Sequence, residues 1–246
     1  MLRKRLITVL TFNNGILFRT KKFNPDYRYT LNFVNNSYID EIIILDVSRE
    51  NKLKKTFIDV VKSFSKNCFV PISVGGGIRS LDDVKLLMSS GADKVVINTG
   101  ALNDINLIKD ISSKYGKQCV VLSIDALRKS NNEYSVYSND GQINTEIEPH
   151  KWAKDAESFG VGEIMITSIE NDGALDGYDL ILSKKIINSV NIPVLLLGGA
   201  GNWKHFEEGL KIGASAVCTQ NIFHFTESSI LSAKSYLKKQ NYAIRF

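Results

Sequence analysis

Cysteine is scarce and unpatterned: Cys68, Cys119 and Cys218 are odd in number and none stands in a CxxC spacing. That excludes a disulfide framework and a structural zinc site, and places the chain in the cytoplasm as an expectation. No apolar run approaches the roughly 20 residues of a membrane span. The run Leu6–Leu10 behind the basic start is short and leads into Thr11-Phe12-Asn13-Asn14-Gly15 without a small-residue cleavage site, so neither a leader nor a membrane contact of its own is expected. His150, His205 and His224 show no HxH or HxxxH spacing and read as surface or packing side chains, so no metal and no other cofactor is expected. Ser/His/Asp and Cys/His nucleophile signatures are absent as well. The 31 cations outnumber 26 anions, but they are scattered and build no arginine-rich arm with interleaved aromatics. A nucleic-acid surface is excluded, and the modest basicity suits phosphorylated small molecules.

What is present is enough apolar sequence, 43% of 246 residues, to bury a sizeable core. That length fits two ordinary domains or one α/β barrel. Short β-rich runs recur at Arg5–Leu10, Glu41–Asp46, Val70–Val74, Lys94–Ile97, Cys119–Ile124, Glu163–Thr167, Pro193–Leu197 and Ser215–Cys218. Amphipathic stretches separate most of them; in Leu81–Ser89, Leu81, Val84, Leu87 and Met88 fall at helical spacing, behind a capping box of Ser80 and Asp83. Runs such as Ile42-Ile43-Ile44-Leu45 are apolar without alternation, as expected of parallel strands covered on both faces.

An internal repeat decides between the architectures. Val74-Gly75-Gly76-Gly77-Ile78, a helix and Gly91-Ala92-Asp93-Lys94-Val95 are echoed by Leu197-Gly198-Gly199-Ala200-Gly201, a helix and Gly213-Ala214-Ser215-Ala216-Val217. Glu41 and Glu163, like Gly91 and Gly213, stand 122 positions apart. Two four-strand halves in constant register predict an α/β fold: one (β/α)8 barrel over residues 1–246 with a half-barrel repeat.

In such a barrel, chemistry sits at the C-terminal ends of the strands. Gly75-Gly76-Gly77 with Asn98-Thr99, and Gly198-Gly199 with Asn221, then form two anion sites facing each other across the mouth, where backbone N–H groups approach phosphate oxygens. Asp46 and Asp125, at the ends of the second and fifth strands, are candidates for general acid or base, and otherwise for a cap or salt bridge. Asp172-Gly173 reads first as turn chemistry. Tyr134–Tyr137 with Asn139-Asp140-Gly141 reads as a hairpin on the same side, placed to act as a lid. At the opposite end Arg5, Glu41, Lys94 and Glu163 stand at strand starts with both signs represented. They predict a paired ring around the floor, a structural cluster or a polar gate.

With those residues in place, the whole chain resembles the cyclase subunit of imidazole glycerol phosphate synthase, the HisF family. The likeness is carried by Met1–Arg5, Val74–Ser80, Gly91–Val95, Ser123-Ile124-Asp125-Ala126, Gly198–Gly201 and Ile222-Phe223-His224-Phe225. It implies a barrel that receives ammonia from a docked glutamine amidotransferase (HisH-like) subunit as a heterodimer, with Arg5, Glu41, Lys94 and Glu163 as the gate and Asp93 facing the partner. It also implies that Arg19, Asp46, Asn98, Thr99, Thr167, Asp172 and Asn221 join Gly76, Gly77, Gly173, Gly198 and Gly199 around a phosphorylated ligand. Of the family's two catalytic aspartates, Asp125 matches one; Thr11 stands in place of the other. Leu197, Ala174 and Asn221 also depart from the usual serine, threonine and serine.

A hydroxyl cannot exchange protons near neutral pH as a carboxylate does, so efficient cyclisation is not expected. An intact gate beneath a changed top is similar to the glycosyl amidation-associated (WbuZ-like) branch, which supplies ammonia to a third protein that amidinates a nucleotide-linked sugar for surface polysaccharide. The alternatives are a histidine-pathway cyclase/lyase that tolerates Thr11, and a non-catalytic scaffold that activates the glutaminase.

Overall fold

The computed structural model describes residues 3–28, 38–48, 53–130, 133–220 and 230–245. In chain order it contains β1 (Arg5–Asn13), β2 (Ile16–Lys21), β3 (Asn24–Arg28), β4 (Glu41–Asp46), α1 (Lys55–Ser65), β5 (Ile72–Gly75), α2 (Leu81–Ser89), β6 (Lys94–Ile97), α3 (Thr99–Asn103) and α4 (Asn106–Tyr115). A 3-10 turn (Lys117–Cys119) then leads to β7 (Val120–Arg128), β8 (Tyr134–Ser138), β9 (Ile143–Asn144), α5 (Pro149–Phe159), β10 (Glu163–Ser168), α6 (Leu180–Ile187), β11 (Val194–Leu197), α7 (Trp203–Lys211), β12 (Ala216–Thr219) and α8 (Ile230–Lys239).

Eight of the strands pair in parallel and close on themselves in the order β1-β4-β5-β6-β7-β10-β11-β12, with β12 returning to β1. This is the (β/α)8 barrel that the repeat predicts. The unbroken apolar runs now have their reason. Ile42 and Ile44 join the outer core beneath the helices, while Ile43 points into the lumen with Ile7, Val9, Val96, Val121, Met165, Leu195, Ala216 and Cys218. Each helix covers its strand with a narrow apolar stripe, such as Phe57, Ile58 and Val61 on α1. The Ser80–Asp83 capping box starts α2 as expected.

Strand limits differ at the prolines. Val70–Val74 and Pro193–Leu197 begin later than expected, at Ile72 and Val194, because a proline has no N–H to give the ladder. The carbonyls of Pro71 and Pro193 still accept from Ile42 and Ile164 at 3.0 and 2.9 Å. At its other end β1 runs on to Asn13, so Thr11 lies within the strand.

Two antiparallel hairpins extend the barrel at the mouth. β2 and β3 follow the first barrel strand, with Thr11 opposite Phe18, and β8 and β9 follow the fifth, with Asp125 opposite Tyr137. The second is the hairpin expected around Tyr134–Gly141. The first went unanticipated although Asn14-Gly15, both at positive φ, turns β1 back onto β2; its tip, between β2 and β3, has positive φ on Lys22 and Phe23 and gives no such signal.

On the outside, Lys234 of α8 makes a buried ion pair with Asp40 at 2.7 Å, and the second Asp40 oxygen accepts from the Leu6 N–H at 2.8 Å. Asp179 caps α6 through the Leu182 N–H and binds Arg128 and Tyr134 at the root of the β8 hairpin. Among the described residues, no helix is long and apolar enough to cross a membrane.

Candidate functional site

The strands deliver their C-terminal ends to one cavity at the mouth, about 1350 Å³ with its opening included. Thr11, Asp46, Gly76, Gly77, Asn98, Thr99, Asp125, Thr167, Asp172, Gly173, Gly198 and Gly199 all line it, so both glycine runs lie at the Asp125 end. Arg19 does not line it; its guanidinium turns along the β2–β3 hairpin to Asp26. Asn221 and the Ile222–Phe225 segment lie outside the described residues.

The glycines are demanded by close packing. A Cβ on Gly76, at φ +116°, would stand 2.5 Å from the Asp46 carbonyl oxygen, and one on Gly199, at φ +103°, would collide with the Gly177 carbonyl. Both backbones are thereby free to approach a ligand with their N–H groups.

Asp125 ends the inward-facing series Val121, Ser123, Asp125 on β7 and is 9% exposed. Asn98 Nδ2 donates to its Oδ2 at 2.7 Å and Ser123 Oγ to its Oδ1 at 3.1 Å. Burial, then the charges of Asp140 and Asp172, push the carboxyl up to about 7 against the pull of these two donors. A group at that midpoint takes up and releases a proton near neutral pH. Asn98 Oδ1 is buried without a partner among the described residues, an acceptor left for a ligand.

The other carboxylates serve the walls. Asp46 accepts from the Ser48 N–H at 3.0 Å, building the turn after β4. Asp172 accepts from Phe23 N–H through its side chain and from Lys22 N–H through its carbonyl, both at 3.0 Å, and so holds the tip of the first hairpin. Burial raises its carboxyl, opposed by the bond from Phe23. Thr99 Oγ1 accepts from the Asn139 N–H at 2.9 Å and ties down the second hairpin, whose Asp140 reaches the cavity.

At the Thr11 corner the chemistry differs. Its hydroxyl donates to the Phe18 carbonyl at 2.5 Å and accepts from Gln220 Nε2 at 2.7 Å. Sequence reasoning missed Gln220, Ser123 and Asp140. Gln220 directly follows β12, so the strand-end rule that picked out Asn221 reaches it as well.

The floor carries the expected ring. Arg5 meets Glu41 at 2.8 Å and Glu163 at 3.0 Å; Lys94 meets Glu41 at 3.0 Å and Glu163 at 3.1 Å. Ser73 Oγ donates to Glu41 at 2.7 Å as a further partner. Burial disfavours the Arg5 cation, but Glu163 and Glu41 outweigh it and raise its pKa. Asp93 is exposed beside the ring, its carboxylate accepting from the Ile72 N–H at 2.8 Å. From ring to cavity the lumen is lined chiefly by apolar side chains, with Cys218 among them as a free thiol raised by burial and by Glu41.

His150 faces Glu148, and His205 accepts from the Gly201 N–H at the start of α7. Among the described residues, no group of three His, Cys, Asp or Glu side chains is placed to hold a metal ion.

Residues 8–229 match the model of a family described as histidine biosynthesis protein. The chain is 40% identical over 252 aligned positions, all of both chains, to imidazole glycerol phosphate synthase subunit HisF of Hydrogenobaculum sp. (strain Y04AAS1). It is 43% identical to the subunit of the same name from Campylobacter concisus (strain 13826), over 86% of this chain and 83% of that one. To that of Clostridium botulinum (strain Okra / Type B1) it is 38% identical over the whole of both.

Proposed function

Because the chain belongs to the histidine biosynthesis protein family, among its imidazole glycerol phosphate synthase HisF subunits, we propose that it takes ammonia from a glutamine amidotransferase docked on the barrel floor and presents it at the mouth for a reaction other than imidazole ring closure. The acceptor in this reading is a nucleotide-linked sugar, amidinated for surface polysaccharide with the help of a third protein in the cytoplasm. A phosphorylated ligand spans the two glycine runs. The ring of Arg5, Glu41, Lys94 and Glu163 serves as gate, and Asp93 faces the partner.

The observation that carries the reading is Thr11. Position 11 offers a hydroxyl in place of a carboxylate, and that hydroxyl is engaged by Phe18 and Gln220, its proton already committed. Asp125, pushed up to about 7 and held by two donors, is left as the proton carrier of the pair, and a positioned acid or base commonly contributes about 10²–10⁴-fold in rate. Retention of Asp125, its two donors and both glycine runs supports chemistry at the mouth over a mere scaffold.

The test supplies the purified chain with the bisphosphorylated histidine-pathway intermediate and ammonium salt. Little or no imidazole product is expected. Vigorous ammonia-dependent cyclisation would overturn the reading and establish a histidine-pathway cyclase.

A further inference from the structure

The two half-barrels place a carboxamide at the same corner of the mouth. Asn98 follows β6 and Gln220 follows β12, 122 positions apart, which is the interval of the internal repeat. Asn98 Nδ2 donates to Asp125 at 2.7 Å and to the Tyr137 carbonyl at 3.4 Å, Tyr137 being the residue opposite Asp125 in the second hairpin. Gln220 Nε2 donates to Thr11 Oγ1 at 2.7 Å and to the Phe18 carbonyl, Phe18 being the residue opposite Thr11 in the first hairpin. The architecture is shared; the acceptor is not. On the Thr11 side the hydroxyl proton and both amide protons are spent within one triangle, whose two side chains are 6% and 8% exposed.

We propose that Gln220 is a specificity-determining residue of the mouth: with the Phe18 carbonyl it keeps position 11 a neutral corner that moves no proton, and it pins the base of the β2–β3 hairpin across the cavity. The inference rests on the reading of the mouth as one that does not close the imidazole ring. A carboxylate introduced at position 11 would set a second acceptor against the Phe18 carbonyl, with only the Gln220 amide to separate them. That arrangement favours the protonated acid donating to Phe18, and so withholds it from substrate. At the counterpart corner Asp125 has a donor on each oxygen, from Asn98 and from Ser123. Since Asp172 already holds the hairpin tip at Lys22 and Phe23, Gln220 completes a two-point attachment.

The test compares Thr11→Asp with Thr11→Asp/Gln220→Met in the full chain, measuring imidazole product from the bisphosphorylated intermediate and ammonium. Methionine keeps the length of the side chain and removes the amide. The double variant should exceed the single one by about tenfold or more; equal rates, including no activity in either, overturn the proposal. Hydrogen exchange provides a readout independent of turnover. In Gln220→Met alone, amides of β2 should exchange about tenfold faster, the loss of roughly one hydrogen bond's worth of protection, while those of β7 do not change. Unaltered β2 protection also overturns it. Cyclisation by the unmodified chain would defeat the preceding reading, whatever the variants do.

Discussion

At the barrel floor each ion of the ring meets two of opposite sign, whereas at the mouth Asp46, Asp125, Asp140 and Asp172 share the wall with Arg79 as the one cationic side chain among the described lining residues. The ring's charges are paired with one another at 2.8–3.1 Å and act as a fixed electrostatic element. The mouth is held by backbone N–H and side-chain amide donors, which place its carboxylates without neutralising them, so its charge is free to change with pH. A closed set of charges suits passage or docking, and an unbalanced set of carboxylates suits proton transfer. The barrel segregates the two by some length of apolar lumen.

The harshest way to break the comparison is Glu41→Ala. Glu41 serves Arg5, Lys94 and Ser73 at once, and its loss leaves two partly buried cations to share Glu163. Urea unfolding should show a loss of about 3–5 kcal/mol. A loss near zero would mean that the ring is solvated and no more fixed than the mouth.

Asp125→Asn tests the other end. The folded-state midpoint, about 7, lies above the unfolded one. The native state therefore binds that proton more tightly, its contribution is fully present at acid pH, and stability falls as pH rises from about 4 to 7. The variant lacks this loss. Measured against the unmodified chain, it should gain roughly 4 kcal/mol between pH 4 and 8. A flat difference would show Asp125 to be an ordinary, permanently ionised carboxylate.

Ser73→Ala sharpens the floor side by removing one hydrogen bond to a charged acceptor while leaving every ion in place. The expected loss is about 1.5 kcal/mol by denaturant midpoint. Asp140→Asn is the mildest. It should lower the Asp125 midpoint by less than about one pH unit, followed by carboxyl carbon NMR, because it takes away the stronger of the two charge effects that raise it.

Much of the frame was legible from runs and register. Eight apolar segments and a 122-residue interval led to the closed barrel, and the strand-start charges led to the ring, because both depend on periodicity along one strand. The Thr11 corner was harder to read. Its hydroxyl meets Phe18 of β2 and Gln220 beyond β12, separated from it by 7 and 209 positions, and no spacing rule links three such residues. Arg19 shows the converse. Matched by resemblance to the ligand site, it lies on a strand whose register hands its guanidinium to Asp26. Asp140 was visible as a turn residue, but only the pairing of β8 against β7 brings that turn back over Asp125.

The buried Lys234–Asp40 pair also bears on the order in which the barrel assembles. Its partners are 194 positions apart, and it sits beside the seam where β1 joins both β12 and β4. Local βα units can collapse early, but this contact waits for nearly the whole chain to be gathered, when the entropy of closing so long a loop has already been spent. Until then Lys234 has its partner only in water. Completion of the circle thus coincides with burial of a matched ion pair, which makes closure a cooperative final event and the seam the natural place to look for the slow step of folding.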